Sequence, residues 1–181
     1  AIDSRDDVIV AGVPVTEFAP DQSVLWSYPC PIGNIQSAAV DADGNVYVGS
    51  LGTSICKISP DGTKVDIFGG FSAPSNPAIA PDGTLYVSEY GPHDIVKADG
   101  RTGARLGVVV QGILATQLAF TTDGTLLAGD FDAGSVVAID PATGGVTTLV
   151  SGFPQPQALT VSPGADGDIY IGDQADKAIY R

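Results

Sequence analysis

Ser75–Gly103 reads SNPAIAPDGTLYVSEYGPHDIVKADGRTG. The short apolar run Pro77–Ala80 precedes Asp82-Gly83, a pair that accepts the positive φ of a tight hairpin, and Thr84–Ser88 then alternates with Leu85 and Val87 on one face. A polar loop, Glu89–Asp94, leads to Ile95–Lys97, and Asp99–Thr102 makes a further turn before Ala104–Val110. The stretch predicts a four-stranded antiparallel meander of about 40 residues.

Versions of this unit lie on both sides. QSAAVDADGNVYVGS spans Gln36–Ser50, TQLAFTTDGTLLAGD spans Thr116–Asp130, and QALTVSPGADGDIYIGD spans Gln157–Asp173. Gly44, Gly83 and Gly124 hold equivalent places at spacings of 39 and 41 residues, and Gly164 or Gly167 continues the series. The third strand also repeats, as Ser54–Ser59, Asp94–Ala98, Ser135–Asp140 and Lys177–Arg181. The first three are followed by the turns SPDGTK, ADGRTG and DPATGG. A fixed period of this size means a β-propeller or a solenoid, and four strands per repeat favour propeller blades.

The predicted fold is therefore an all-β propeller of four-stranded antiparallel blades in a single domain, 1–181. It divides into a partial blade 1–31, blades 32–71, 72–113 and 114–153, and a partial blade 154–181. The first partial blade carries Val8–Ala11, Pro14–Phe18 and Val24–Tyr28 as second, third and fourth strands. The last lacks its fourth strand. Six terminal strands are too many for one composite blade, so the count fits about five blades with incomplete terminal ones, or an arc of a six-bladed ring. In an arc, or where closure comes from another chain, the exposed terminal edges are natural association sites. The aromatic residues Trp26, Tyr28, Phe68, Phe71, Phe120 and Phe153 are expected between blades, and Ala165-Asp166 lengthens the last hairpin turn.

The pattern of a Pro-containing entry, D-G, an aliphatic Y-V strand, a small or acidic residue, then I-x-K or V-x-A-I-D resembles NHL-type blades. It is also similar to gluconolactonase-like, senescence-marker-type propellers. The resemblance covers nearly the whole chain. It implies the fold, whereas activity varies widely on this scaffold.

Composition narrows the partners. The formal net charge of −13 opposes contact with a phosphate backbone, so no nucleic-acid partner is expected. No apolar run reaches the length of a membrane span. The chain begins at Ala1, contains no methionine and shows no signal-peptide core at its start, as in a mature exported protein or a trimmed piece of a longer one. Extracellular or periplasmic localisation is the expectation. Cys30 and Cys56 fit that compartment as a disulfide, or stand as two buried reduced thiols; the sequence leaves both open.

Chemistry is expected at one channel mouth, where the first strand of each blade enters and the second leaves. The entries are Ser37, Asn76, Gln117 and Gln157, and the exits are Ser50, Glu89, Asp130 and Asp173. Tyr90, His93 and Phe131, in the adjoining loops, complete a candidate ligand-binding face. Oxygen donors converging on a channel suit a hard cation such as Ca²⁺. The gluconolactonase resemblance implies a divalent metal held by a Glu, an Asn and an Asp, which puts Glu89, Asn76, Asp130 and Asp173 forward as ligands. Glu89, Asp130 and Asp173 are then the catalytic candidates. The same carboxylates serve equally as acceptors for loop amides. The segment Asp41–Gly44 is a hairpin turn, since it recurs in other repeats and lacks the Glu of a calcium loop.

No G-x-S-x-G elbow accompanies the single histidine, His93, and no Walker loop or dinucleotide fingerprint is present. The leading expectation is a binding or assembly module, recognising a protein or small ligand through the loops Leu51–Thr53, Tyr90–Asp94, Phe131–Gly134 and Gln174–Asp176 and through free strand edges. The alternative is a metal-dependent lactonase-like hydrolase. A lyase or carbohydrate-binding propeller is a third reading.

Overall fold

The computed structural model describes residues 1–162 and 167–181. Gly164 and Ala165-Asp166, named above in the repeat series and the lengthened turn, lie outside them. The described residues form eighteen strands and no helix, in five antiparallel sheets that follow one another along the chain. The first sheet holds β1 (Val8–Val10), β2 (Val15–Phe18) and β3 (Val24–Tyr28). The second holds β4 (Ile35–Val40), β5 (Val46–Ser50), β6 (Ser54–Ile58) and β7 (Val65–Gly69), and the third β8 (Pro74–Ile79), β9 (Thr84–Glu89), β10 (Asp94–Asp99) and β11 (Arg105–Gln111). The fourth holds β12 (Ala115–Phe120), β13 (Leu126–Asp130), β14 (Ser135–Ile139) and β15 (Val146–Ser151), and the last β16 (Pro156–Val161), β17 (Ile169–Asp173) and β18 (Ala178–Tyr180). This is a five-bladed β-propeller whose terminal blades have three strands.

The D-G pairs act as the sequence predicts. Gly83 sits at φ +84° between β8 and β9, and Gly44 and Gly124 occupy the matching turns at +84° and +88°, a region that glycine enters without a Cβ penalty. The inner strands β4, β8, β12 and β16 lie side by side around the channel. The next blade's inner strand also comes close to β5: a Cβ on Gly49 would stand 2.3 Å from the Ser75 carbonyl oxygen of β8.

Successive blades pack face to face, and each interface is an apolar cluster. Cross-strand pairs build the repeat: Val46 opposite Ile58 and Val48 opposite Cys56, Leu85 opposite Ala98 and Val87 opposite Val96, Leu126 opposite Ile139 and Ala128 opposite Val137. Each quartet faces the preceding blade. Val46, Val48, Cys56 and Ile58 meet Ile9 and Val15 of the first blade; Leu85, Val87, Val96 and Ala98 meet Tyr47 and Ile55; Leu126, Ala128, Val137 and Ile139 meet Tyr86 and Ile95. The expected aromatic residues sit in these layers, Trp26 and Tyr28 between the first two blades, Phe68 and Phe71 between the next, then Phe120 and Phe153. Of the two readings of the cysteines, the structure has the disulfide: Cys30, just after β3, is bonded to Cys56 in β6, with Cα atoms 6.2 Å apart. The bond ties the first blade to the second.

Candidate functional site

Every inner strand is bulged at the same height. The pairing of β4 with β5 skips Gln36, that of β8 with β9 skips Ser75, that of β16 with β17 skips Gln157, and β12 sets Thr116 and Gln117 against Gly129 alone. A bulge bends its strand and re-aims the side chains around it. Here the repeated bulge turns consecutive polar residues toward the mouth of the channel.

The result is a pocket of about 400 Å³. Its polar wall is Gln36, Ser37, Ser75, Asn76, Thr116, Gln117 and Gln157, and its apolar part is Leu51, Tyr90, Leu114, Ala115 and Phe131. Leu51, Tyr90 and Phe131 hold one repeat position, the residue after β5, β9 and β13, so three blades each place one large apolar side chain on the rim. None of the twelve lining residues is an Asp, Glu, Lys, Arg or His. On a chain of net charge −13, an uncharged concavity is a local exception.

Neighbouring inner strands are latched beside this pocket. Ser37 Oγ donates to the Ser75 carbonyl at 3.0 Å, Asn76 Nδ2 to the Ala115 carbonyl at 3.3 Å and to Ser75 Oγ at 3.0 Å, and Thr116 Oγ1 to the Pro156 carbonyl. Ser88 Oγ reinforces the third blade's latch, donating to the Ala115 carbonyl at 2.7 Å. These bonds fix part of the wall's geometry, since the Ser37, Asn76 and Thr116 side chains are held by the next blade's backbone.

Six of the seven ligand-binding candidates, Ser37, Asn76, Gln117, Gln157, Tyr90 and Phe131, therefore share one pocket. The register of Gln157 differs from the expectation. By pairing, the residue equivalent to Ser37 and Asn76 in the last blade is Ala158, opposite Gly172, and Gln157 is the bulged residue, equivalent to Gln36, Ser75 and Thr116. The bulge shifts the count by one, which a repeat alignment cannot register. For the same reason Thr116, Ser75 and Gln36 escape a reading of strand entries alone. His93 stands outside the lining, its Nδ1 3.2 Å from Asp132 Oδ2 and its ring edge-on to Tyr90. Its φ of +58° is a turn requirement, because Gly134 and Lys177 adopt +60° and +53° in the corresponding turns.

The carboxylates Glu89, Asp130 and Asp173 are not among the lining residues, and each is engaged separately. Glu89 is buried, and Arg105 takes both of its oxygens, Nη1 to Oε1 at 2.7 Å and Nη2 to Oε2 at 3.0 Å, while the Ser72 N–H donates to Oε1 at 2.9 Å. Asp130 Oδ1 accepts from the Ala133 N–H at 3.2 Å. Asp173 accepts from the N–H groups of Gln155 at 2.8 Å and Asp176 at 2.9 Å; burial pushes its carboxyl up, but these backbone donors outweigh that and hold it below the usual range. Asn76 directs its amide N–H groups at Ser75 and Ala115. This donor set does not fit a divalent cation: at Glu89 the metal would have to displace a guanidinium, and the three carboxylates do not form one group.

Among the described residues, the acidic trio whose oxygens do converge, within 4.8 Å, is Asp3, Asp7 and Glu17 at the first blade. Arg5 already bridges it, at 2.8, 3.0 and 3.2 Å respectively. Burial raises the Glu17 carboxyl, opposed by the charge of Arg5. At Asp3 burial also acts upward, but hydrogen bonds from the Arg5 side chain and from the backbone N–H groups of Asp7 and Arg5 give a net lowering.

No family model and no curated protein matches the sequence. Solved structures do match. Virginiamycin B lyase from Staphylococcus aureus superposes with a TM-score of 0.77 at 14% identity, over 99% of this chain and 67% of that one. A chain of a nidogen/laminin complex gives 0.83 at 17%, over 98% and 71%. The WD40 β-propeller domain of Doa1 gives 0.77 at 16%, over 96% and 59%. These are likenesses of fold. The neighbours include a lyase and a chain from a protein complex, and this chain spans roughly three-fifths to seven-tenths of their lengths.

Proposed function

We propose that this protein is a binding module whose pocket at the channel mouth takes an uncharged ligand, either a small molecule or an uncharged segment of a protein partner. The observation that carries this reading is the repeated bulge: four successive inner strands direct amide and hydroxyl side chains at one concavity rimmed by Leu51, Tyr90 and Phe131, with no carboxylate in its wall. Pockets of a few hundred Å³ with convergent uncharged polar groups and an apolar rim suit small ligands. The wall is preorganised by the inter-blade latches, so little ordering is required on binding. A disulfide between Cys30 and Cys56 supports an exported setting, where such bonds persist.

The test is a ligand-observed NMR screen of uncharged sugars, peptides and aromatic amides against the protein, repeated with Tyr90→Ala and with EDTA. Tyr90 is half-exposed, so its loss leaves the fold intact. The expected result is a set of ligands whose binding weakens at least about tenfold in Tyr90→Ala, the scale of one aromatic anchor, and is indifferent to EDTA. Ligands that ignore the substitution, or lactone turnover that depends on a divalent metal, would overturn this reading in favour of another face or of a hydrolase.

A further inference from the structure

The bonds that latch the inner strands also decide which part of each polar group is left for a ligand. Ser37, Ser75 and Thr116 have one hydroxyl hydrogen each, and each donates it to a carbonyl: that of Ser75 at 3.0 Å, of Ser88 at 3.4 Å and of Pro156. Asn76 directs Nδ2 to Ser75 Oγ at 3.0 Å and to the Ala115 carbonyl at 3.3 Å. A carbonyl can only accept, so the Asn76 amide has one possible orientation and both of its N–H groups are spent. Its Oδ1 accepts from no donor among the described residues, although Asn76 is only 9% exposed. The side-chain atoms sealed from solvent without a partner are Glu17 Oε2 and Trp26 Nε1; Asn76 Oδ1 is not one of them, and it opens on the pocket that its residue lines. Gln36 repeats the pattern at an exposed position, with Nε2 on the Asn34 carbonyl and on Asn34 Oδ1, which leaves its Oε1 to accept.

The short polar side chains of the wall therefore meet a ligand as acceptors. We propose that the pocket selects a polyhydroxylated ligand of pyranose size, whose O–H groups donate to Asn76 Oδ1 and to the lone pairs of Ser37 and Thr116; this rests on reading the pocket as the binding site. An ester, lactone or ketone brings only lone pairs to such a wall, so acceptor would face acceptor with water removed. A peptide brings a carbonyl with every N–H, whereas the side-chain donors left in the lining are those of Gln117, Gln157 and Tyr90. A pyranose carries hydroxyls around its edge and C–H groups on its faces, which matches a wall of oxygens beside Leu51, Tyr90 and Phe131. The volume of about 400 Å³ lies toward the small end of ligand sites.

Ligand-observed NMR titrations of the methyl α-pyranosides of glucose, mannose and galactose test this on the unaltered protein, since the series varies axial and equatorial hydroxyls. Each glycoside is compared with its monodeoxy-monofluoro analogues, in which fluorine keeps the size of one hydroxyl but cannot donate. The acceptor-only probe is δ-valerolactone, and the peptide probe is N-acetylglycine methylamide. At least one glycoside is expected to bind more tightly than either probe, to lose about tenfold in affinity when a donating hydroxyl becomes fluorine, and to weaken in Tyr90→Ala. Fluoro analogues or a lactone that bind as tightly as the glycosides, and that weaken in Tyr90→Ala, would overturn the donor requirement and leave the pocket as the binding site. A peptide probe that binds more tightly than every glycoside, or glycosides that do not bind, would overturn the ligand class. Glycoside binding indifferent to Tyr90→Ala would overturn both the ligand class and the pocket reading.

Discussion

Arg105 grips Glu89 by both carboxylate oxygens, at 2.7 and 3.0 Å. Glu89 is buried and belongs to β9, whereas Arg105 opens β11, so the pair spans the third blade and engages both oxygens of a carboxylate expected as a cation ligand.

Removing the guanidinium leaves a buried charge without its partner, a change that costs about 3–5 kcal/mol for a fully buried pair. Arg105 is about one-third exposed, so Arg105→Ala is expected to lower unfolding free energy by about 2 kcal/mol in urea titrations. Arg105→Met with Glu89→Gln should cost less than the two single changes together. Strict additivity would mean that the pair contributes nothing as a pair.

The disulfide closes a loop of sequence separation 26. Opening it releases chain entropy in the unfolded state, worth about 3–4 kcal/mol in the loop-closure model. Replacing both cysteines by Ala should therefore shift the urea midpoint down strongly. An unchanged midpoint would show that blade packing alone sets the register of the first blade on the second.

Acid should weaken the turns. Six aspartates cap them: Asp21, Asp61 and Asp123 are held low chiefly by the hydroxyls of Ser23, Ser59 and Thr121, and Asp82, Asp99 and Asp140 by the backbone N–H groups of Thr84, Thr102 and Ala142. Asp61 falls from 3.8 to about 2. Folded values below the unfolded ones mean stability that is present above 3.8 and lost as pH falls toward the folded values. Glu17 acts in the opposite sense, because its raised carboxyl favours the neutral form in the fold, so its contribution declines as pH rises through 4.5 and above. With these six joined by Asp3 and Asp173, also lowered, against Glu17, the urea midpoint at about pH 2.5 should lie below that at about pH 5, and Asp61→Asn should narrow the gap. Coinciding midpoints would remove these caps from the account of stability.

The sequence by itself determined the blades. A spacing of about 40 residues, D-G turns and period-two apolar pairs are local facts, and each blade is a local meander. The channel-mouth residues from Ser37 to Phe131 were legible for the same reason, because a repeat carries equivalent positions to one face. What only the tertiary structure decided depends on contacts between blades. The bulge that moves Gln157 out of step with Asn76, and brings in Thr116, Ser75 and Gln36, is a pairing irregularity with no fixed residue signature. The partner of Glu89 is a cation 16 residues away that could equally have faced solvent. Ile179 is exposed at a position buried in the third and fourth blades, because none of the described residues packs a further sheet against it. Strand patterns report what a residue's own sheet requires; burial and charge pairing are set by whichever surface lies opposite.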